Sequence, residues 1–190
     1  MLPRLTICIP TFNRPYSIQR CLKSIETSLR EFDFPVNICI SDNSENDETL
    51  LVLMEFAESL EINYKKNSRN LGYAANFKSV VNMAATDYVW LIGDDDILLP
   101  NSFENIFNMF RDFPNLDFYY VNAYNLDASF FKNEWNFHKL PENMSKYSQS
   151  KPSRVLEFRE LIDYKISSDF LGGMFLSIFK KKSGSAGSIK

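Results

Sequence analysis

At 190 residues, with 45% hydrophobic and 24% charged side chains, the chain can bury the core of one domain and has an ordinary globular balance. A formal net charge of -3 argues against nucleic acid as a partner, so any anionic ligand needs a metal or a local basic patch. Cys8, Cys21 and Cys39 lie in apolar segments without C-x-x-C spacing and read as small buried hydrophobes. They do not read as a disulfide framework or a zinc site, and the single His138 cannot build a metal cluster alone.

The first 125 residues alternate strand-like and helix-like runs. Leu5 to Ile9 is an apolar run closed by Pro10, and Ile18, Leu22, Ile25 and Leu29 then recur at helical spacing. Val36 to Ile40 predicts a second strand, ending on Ser41-Asp42-Asn43-Ser44. Ser44 and Asn46 can cap the next helix, on which Leu50, Met54 and Ala57 share a face. Ile62 to Tyr64 predicts a third strand, with the polar turn Asn67 to Gly72 behind it. Tyr73, Phe77, Val80 and Ala84 form a helical stripe. Tyr88 to Ile92 reads as a central strand covered on both faces, and it runs into Asp94-Asp95-Asp96. Phe103, Ile106 and Phe110 mark a further helix, and Leu116 to Val121 a fifth strand.

After Asn125 the rhythm breaks. Residues 127–152 read as a long loop, Arg154 to Tyr164 as a helix, and Phe175 to Phe179 as a late strand entered through Gly172-Gly173. The Ser/Gly-rich tail 181–190 has linker composition. The alternation predicts an α/β fold, a mostly parallel sheet with flanking helices. Ligands of such sheets bind beyond the carboxyl ends of the strands, where polar clusters follow strands one, two and four.

Asp94-Asp95-Asp96 is the sharpest of these. Three adjacent carboxylates repel one another; they form either a solvated acidic turn or a site for hard Mg²⁺ or Mn²⁺ that also bridges phosphate oxygens. Asp42-Asn43-Ser44 offers an acceptor suited to an imide N–H or a ribose hydroxyl, and is equally a helix cap. Pro10-Thr11-Phe12-Asn13-Arg14 places an aromatic ring and an arginine at the sheet edge, where they could face a base or a diphosphate or simply pack a loop. Asn70-Leu71-Gly72 lets the next helix start close to a ligand. Residues 42–53 lack the glycine and closing glutamate of an EF-hand, and there is no G-x-G-x-x-G or P-loop signature.

In this order, Ile9-Pro10-Thr11-Phe12-Asn13-Arg14, Ser41-Asp42-Asn43-Ser44, Asn70-Leu71-Gly72 with Asn76, and Trp90-Leu91-Ile92-Gly93-Asp94-Asp95-Asp96 closely resemble family 2 glycosyltransferases. With Ser168-Asp169-Phe170-Leu171-Gly172-Gly173, the triple-Asp form is closest to bacterial surface-polysaccharide enzymes of the abequosyltransferase kind. The resemblance implies a GT-A fold and an inverting, metal-assisted transfer from a nucleotide-diphosphate sugar, UDP- or dTDP-type, to a glycan or lipid-linked acceptor. It places Pro10, Thr11, Asn13, Arg14, Asn70, Gly72, Asn76 and Asp94 around the donor, with Asp42 reading the base. Asp95 and Asp96 become the residues holding Mn²⁺ or Mg²⁺. Gly93 stands where many relatives carry the first Asp of the motif.

The resemblance also implies a carboxylate base beyond a glycine-containing strand. Asp169 precedes Gly172-Gly173 and matches it poorly, so the catalytic base is unassigned and the chain reads as truncated. The expected organisation is one domain over 1–180, with a nucleotide-sugar-binding part in 1–125, the start of an acceptor part in 126–180, and the tail 181–190. A cytoplasmic protein is expected, with Lys180-Lys181-Lys182 the segment that would meet an anionic membrane face. A catalytically incomplete donor-binding module is the alternative. A nucleotidyltransferase would carry a glycine-rich signature after strand one, where this chain has none.

Overall fold

The computed structural model describes residues 4–125, 145–146, 155, 157 and 176–181. Among the described residues eight strands are formed: β1 (Leu5–Thr11), β2 (Val36–Asp42), β3 (Ile62–Lys66), β4 (Tyr88–Leu91), β5 (Phe118–Tyr120), β6 (Tyr124–Asn125), β7 (Ser145–Lys146) and β8 (Ser177–Lys180). The helices among the described residues are α1 (Pro15–Glu31), α2 (Glu48–Met54), α3 (Tyr73–Met83) and α4 (Ser102–Asp112). His138, Asp169, Gly172-Gly173 and the tail beyond Lys181 lie outside the described residues, as does the expected helix over 154–164 apart from Val155 and Glu157, neither of which is helical.

The main sheet runs β3-β2-β1-β4-β8-β5. β3, β2, β1 and β4 are parallel, with Leu5 opposite both Val36 and Tyr88. β8 enters antiparallel between β4 and β5, so the sheet is mixed at this side. β7 pairs with β6, which replaces the expected loop at 145–146.

Every residue of β1 is buried. Alternation sends Leu5, Ile7 and Ile9 to one face, where Ile18, Leu22 and Ile25 of α1 and Phe103, Ile106 and Phe110 of α4 pack. Cys8 faces the other way, with Cys39, Val89 and Leu91, beneath Val80 of α3 and Ala84 at its C-cap. The three thiols are buried and form no disulfide. Pro15 at the first turn and Arg30 in the last suit the direction of α1.

Two sequence expectations shift. Pro10 does not end β1, which continues to Thr11. The Cys8 carbonyl accepts the Ile92 N–H, so Pro10, two residues on, faces the same neighbour with no N–H to donate. What Pro10 ends is the ladder to β4, while that to β2 continues through Thr11, whose carbonyl accepts the Asn43 N–H.

On α2 the buried residues are Thr49 and Leu53, followed into the core by Phe56 and Leu60; Leu50 and Met54 are exposed. The helix begins at Glu48 with Asp47 at the N-cap. Asn46 accepts the Glu48 N–H at 3.3 Å, whereas Ser44 is turned toward Asp42. The corrected phase is testable by denaturant unfolding. Leu53→Ala is expected to cost about 2–4 kcal/mol, and Met54→Ala less than about 0.5 kcal/mol.

Candidate functional site

The strand order reverses at β1: the chain steps outward through β2 and β3, then returns to place β4 on the other side. The carboxyl ends of β1 and β4 are therefore a topological switch point, where open α/β sheets form the crevice that takes a ligand, and the β1–β4 ladder has already ended there at Pro10. Thr11 to Arg14 lie on one side of this point and Gly93 to Asp96 on the other.

These two segments are bonded to each other. The Thr11 hydroxyl donates to Asp94 Oδ2 at 2.7 Å, and Arg14 Nη1 donates to Asp94 Oδ1 at 2.6 Å. Arg14 Nη2 reaches Asp95 Oδ2 at 2.9 Å. Asp94 is buried, Asp96 half-buried and Asp95 exposed. Burial pushes the Asp94 carboxyl above the usual range, outweighing the Thr11 hydrogen bond and the Arg14 charge. Asp96 is raised to about 6, first by burial and then by the charges of Asp95 and Asp94, although the Gly93 N–H donates to it at 2.6 Å. Burial works against the Arg14 charge, but the two carboxylates outweigh it and raise its pKa.

Gly93 explains how the carboxylates gather. A Cβ built on it would lie 2.8 Å from Asp95 Oδ1 and 3.2 Å from Asp96 Oδ2, so both side chains fold over the bare backbone at this position. Among the described residues no group of three or more His, Cys, Asp or Glu forms a metal cage. The cluster offers two gathered hard-oxygen ligands, a set that phosphate oxygens can complete.

Asp42 lies on the β2 side and is fully buried. Its Oδ1 accepts from the Ser44 N–H at 2.8 Å and from the Ser44 hydroxyl, and its Oδ2 accepts from the Tyr64 hydroxyl at 3.0 Å. Burial, and next the Asp42 charge, keep the Tyr64 phenol protonated well beyond its ordinary range. Ser44 Oγ in turn accepts the Asn13 N–H at 2.8 Å. Asn13 has a left-handed backbone, φ 53, an uncommon state for a residue with a Cβ. Asp42 therefore fixes, through Ser44, the turn that delivers Arg14 to the acidic cluster.

A third set consists of amides. Asn67 Nδ2 lies 3.0 Å from Ser41 Oγ, 2.9 Å from Asn43 Oδ1 and 3.1 Å from Asn76 Oδ1. Asn76 Nδ2 donates to the Thr11 carbonyl at 3.1 Å, and Asn43 Nδ2 to Asn70 Oδ1 at 3.0 Å. Asn70 Oδ1 also accepts the Gly72 N–H at 2.8 Å. Gly72 itself has φ 78 and ψ 167, a backbone state that side chains strongly disfavour, and it begins α3.

The sequence-derived residues thus fall into three bonded sets: Thr11, Arg14, Asp94 and Asp95; Asn13 and Asp42; and Asn70, Gly72 and Asn76. Asp96 stands beside the first set over Gly93, and Pro10 contributes the gap. Ser44 joins Asn13 to Asp42, Tyr64 bonds Asp42, and Asn43 and Asn67 connect the sets. The sequence pointed to Ser44 and Asn43 only as neighbours of Asp42. It carried no signal for Asn67 or Tyr64 beyond a polar turn and a strand residue.

The sequence model of Glycosyl transferase family 2 matches residues 6–181. The abequosyltransferase RfbV of Salmonella typhimurium is 37% identical over 52% of this chain and 30% of its own length. An uncharacterized glycosyltransferase of Methanocaldococcus jannaschii is 27% identical over 67% of this chain and 44% of its own. The matched part thus spans less than half the length of these relatives. Among solved structures, S. aureus TarS residues 1–349 aligns with a TM-score of 0.56 at 18% identity, over 68% of this chain and 40% of that one. A mannosyltransferase from Pyrobaculum calidifontis, solved with GDP-Man and Mn²⁺, gives 0.53 at 20% identity, over 64% and 36%. These likenesses show the fold, which is of the GT-A type.

If the amide network holds the crevice loops, Asn67→Ala will cost about 2–3 kcal/mol in denaturant unfolding, because it leaves buried partners unpaired. A cost near zero would mean that the network contributes nothing.

Proposed function

The chain belongs to glycosyl transferase family 2, and on that premise we propose that it transfers a sugar, with inversion, from a UDP- or dTDP-type donor to a glycan or lipid-linked acceptor. The observation that carries this reading is the bonded cluster of Thr11, Arg14, Asp94 and Asp95 across the crevice where the strand order reverses. The similarity to an abequosyltransferase favours the surface-polysaccharide class of product.

In this reading the nucleotide lies over the ends of β1 and β2. Arg14 faces the diphosphate, and the first turns of α1 and α3 direct their amide dipoles toward it. Three donors already occupy the Asp42 carboxylate, so it positions the β1–α1 turn, and to read the base it would exchange one of them for the nucleobase. Pro10, Asn70, Gly72 and Asn76 shape the nucleotide's walls.

Asp95 and Asp96 would hold Mn²⁺ or Mg²⁺. The fit rests on two oxygen-donor groups gathered over Gly93 and on a carboxylate repulsion that a divalent cation offsets. On the donor diphosphate such an ion supplies Lewis-acid stabilisation of the charge that builds on the leaving group. Asp94, held by Thr11 and Arg14, keeps the cluster in place.

We assign residues 1–125 to the donor-binding part and 126–180 to the start of the acceptor part. No described helix is long and apolar enough to cross a membrane. A cytoplasmic site of action, with peripheral contact in the 180–182 lysine segment, completes the proposal, although the Lys181 ammonium is itself held by the Val81 and Ala84 carbonyls.

Calorimetric titration of UDP, dTDP, GDP and CDP, with and without Mn²⁺, tests the donor site in wild type and Asp95→Ala. Metal-dependent binding of UDP or dTDP, weakened at least about tenfold in the variant, is the expected result. Absence of binding to any diphosphate would overturn the proposal. Binding without sugar transfer to any acceptor would instead favour the incomplete donor-binding module.

A further inference from the structure

The acidic cluster already has a cation of its own. Arg14 stands at the N-cap of α1, delivered there by the left-handed turn at Asn13. Its guanidinium divides between two carboxylates, Nη1 on Asp94 at 2.6 Å and Nη2 on Asp95 at 2.9 Å.

The two halves of this fork differ in environment. The Asp94 side chain is 4% exposed, so a partner withdrawn from it leaves a buried charge uncompensated. The side chains of Arg14 and Asp95 are 50% and 53% exposed, and a pair so exposed holds weakly. Arg14 is therefore firmly seated on Asp94 and loosely on Asp95. Asp95 is also one of the two carboxylates assigned above to the metal.

Resting on that assignment, we propose that Arg14 is a stand-in counter-ion that gives up Asp95, but not Asp94, when a divalent metal enters. The Nη2 arm so freed becomes a donor for the diphosphate that arrives with the metal. Arg14 then opposes metal binding alone and favours metal and diphosphate together, which couples the two ligands through one side chain. Arginine suits the role because its planar fork serves two acceptors at once, whereas a lysine ammonium on Asp94 has no second arm.

The test is Mn²⁺ affinity, read from the electron paramagnetic resonance signal of free Mn²⁺, with and without UDP or dTDP. Wild type is compared with Arg14→Lys and Arg14→Gln, with folding checked by thermal melting and Asp95→Ala as the ligand-loss control. Both Arg14 variants are expected to bind Mn²⁺ alone about three- to fivefold more tightly than wild type, the range an exposed ion pair allows. The diphosphate should then raise their Mn²⁺ affinity less than it raises that of wild type. If the variant that folds binds Mn²⁺ no more tightly than wild type, the stand-in role is overturned while Asp95 remains a ligand. If Mn²⁺ binds neither wild type nor variants, the metal assignment falls and this inference falls with it.

Discussion

The reversal of strand order at β1 is the constraint on which the rest of the structure depends. Backbone pairing holds β1 between β2 and β4 along its first half, and the N–H that Pro10 lacks ends the ladder to β4. The strands part there, and the loops beyond them are free to carry polar groups that no packed sheet could accommodate. A proline inside a buried strand is ordinarily a defect. Here it stands where the ladder to β4 ends, and one residue on Thr11 meets Asp94.

What orders those loops is a set of buried and half-buried hydrogen bonds. It runs from Tyr64 through Asp42 and Ser44 to the backbone of Asn13, and from Asn70 through Asn43, Asn67 and Asn76 to the carbonyl of Thr11. Asp42, Asn43, Ser44, Asn67 and Asn76 are buried and costly if left unpaired, so the loops are held by the penalty for releasing them as much as by net attraction. The acidic cluster is the exception. Its carboxylates crowd one another over Gly93, and Arg14 offsets only part of the charge.

Much of this was legible before the structure. The apolar runs at β1, β2 and β4 and the polar clusters behind them come from local patterning, and a parallel sheet follows from their alternation with helices. Other features depend on contacts that sequence order hides. β8 is inserted between β4 and β5 from far along the chain, and nothing local in Ser177–Lys180 says which neighbour it takes. In α2 the run Leu50-Leu51-Val52-Leu53-Met54 has no polar residue to set its phase, so the buried face was placed one position off. Asn67 reads as one more turn residue, although it bridges two strand ends and a helix. Asp42 reads as an open acceptor, although it is buried and already bonded. A carboxylate's type is written in the sequence, and its satisfaction is not.

The central claim is that the crevice between the ends of β1 and β4 holds a divalent ion on Asp95 and Asp96 beneath a nucleoside diphosphate. Anomalous diffraction at the manganese edge, from crystals grown with Mn²⁺ and UDP or dTDP, addresses it directly. The account predicts one anomalous peak within bonding distance of carboxylate oxygens of both Asp95 and Asp96 and of the diphosphate. A peak elsewhere, or a nucleotide bound away from Thr11 and Arg14, would contradict it.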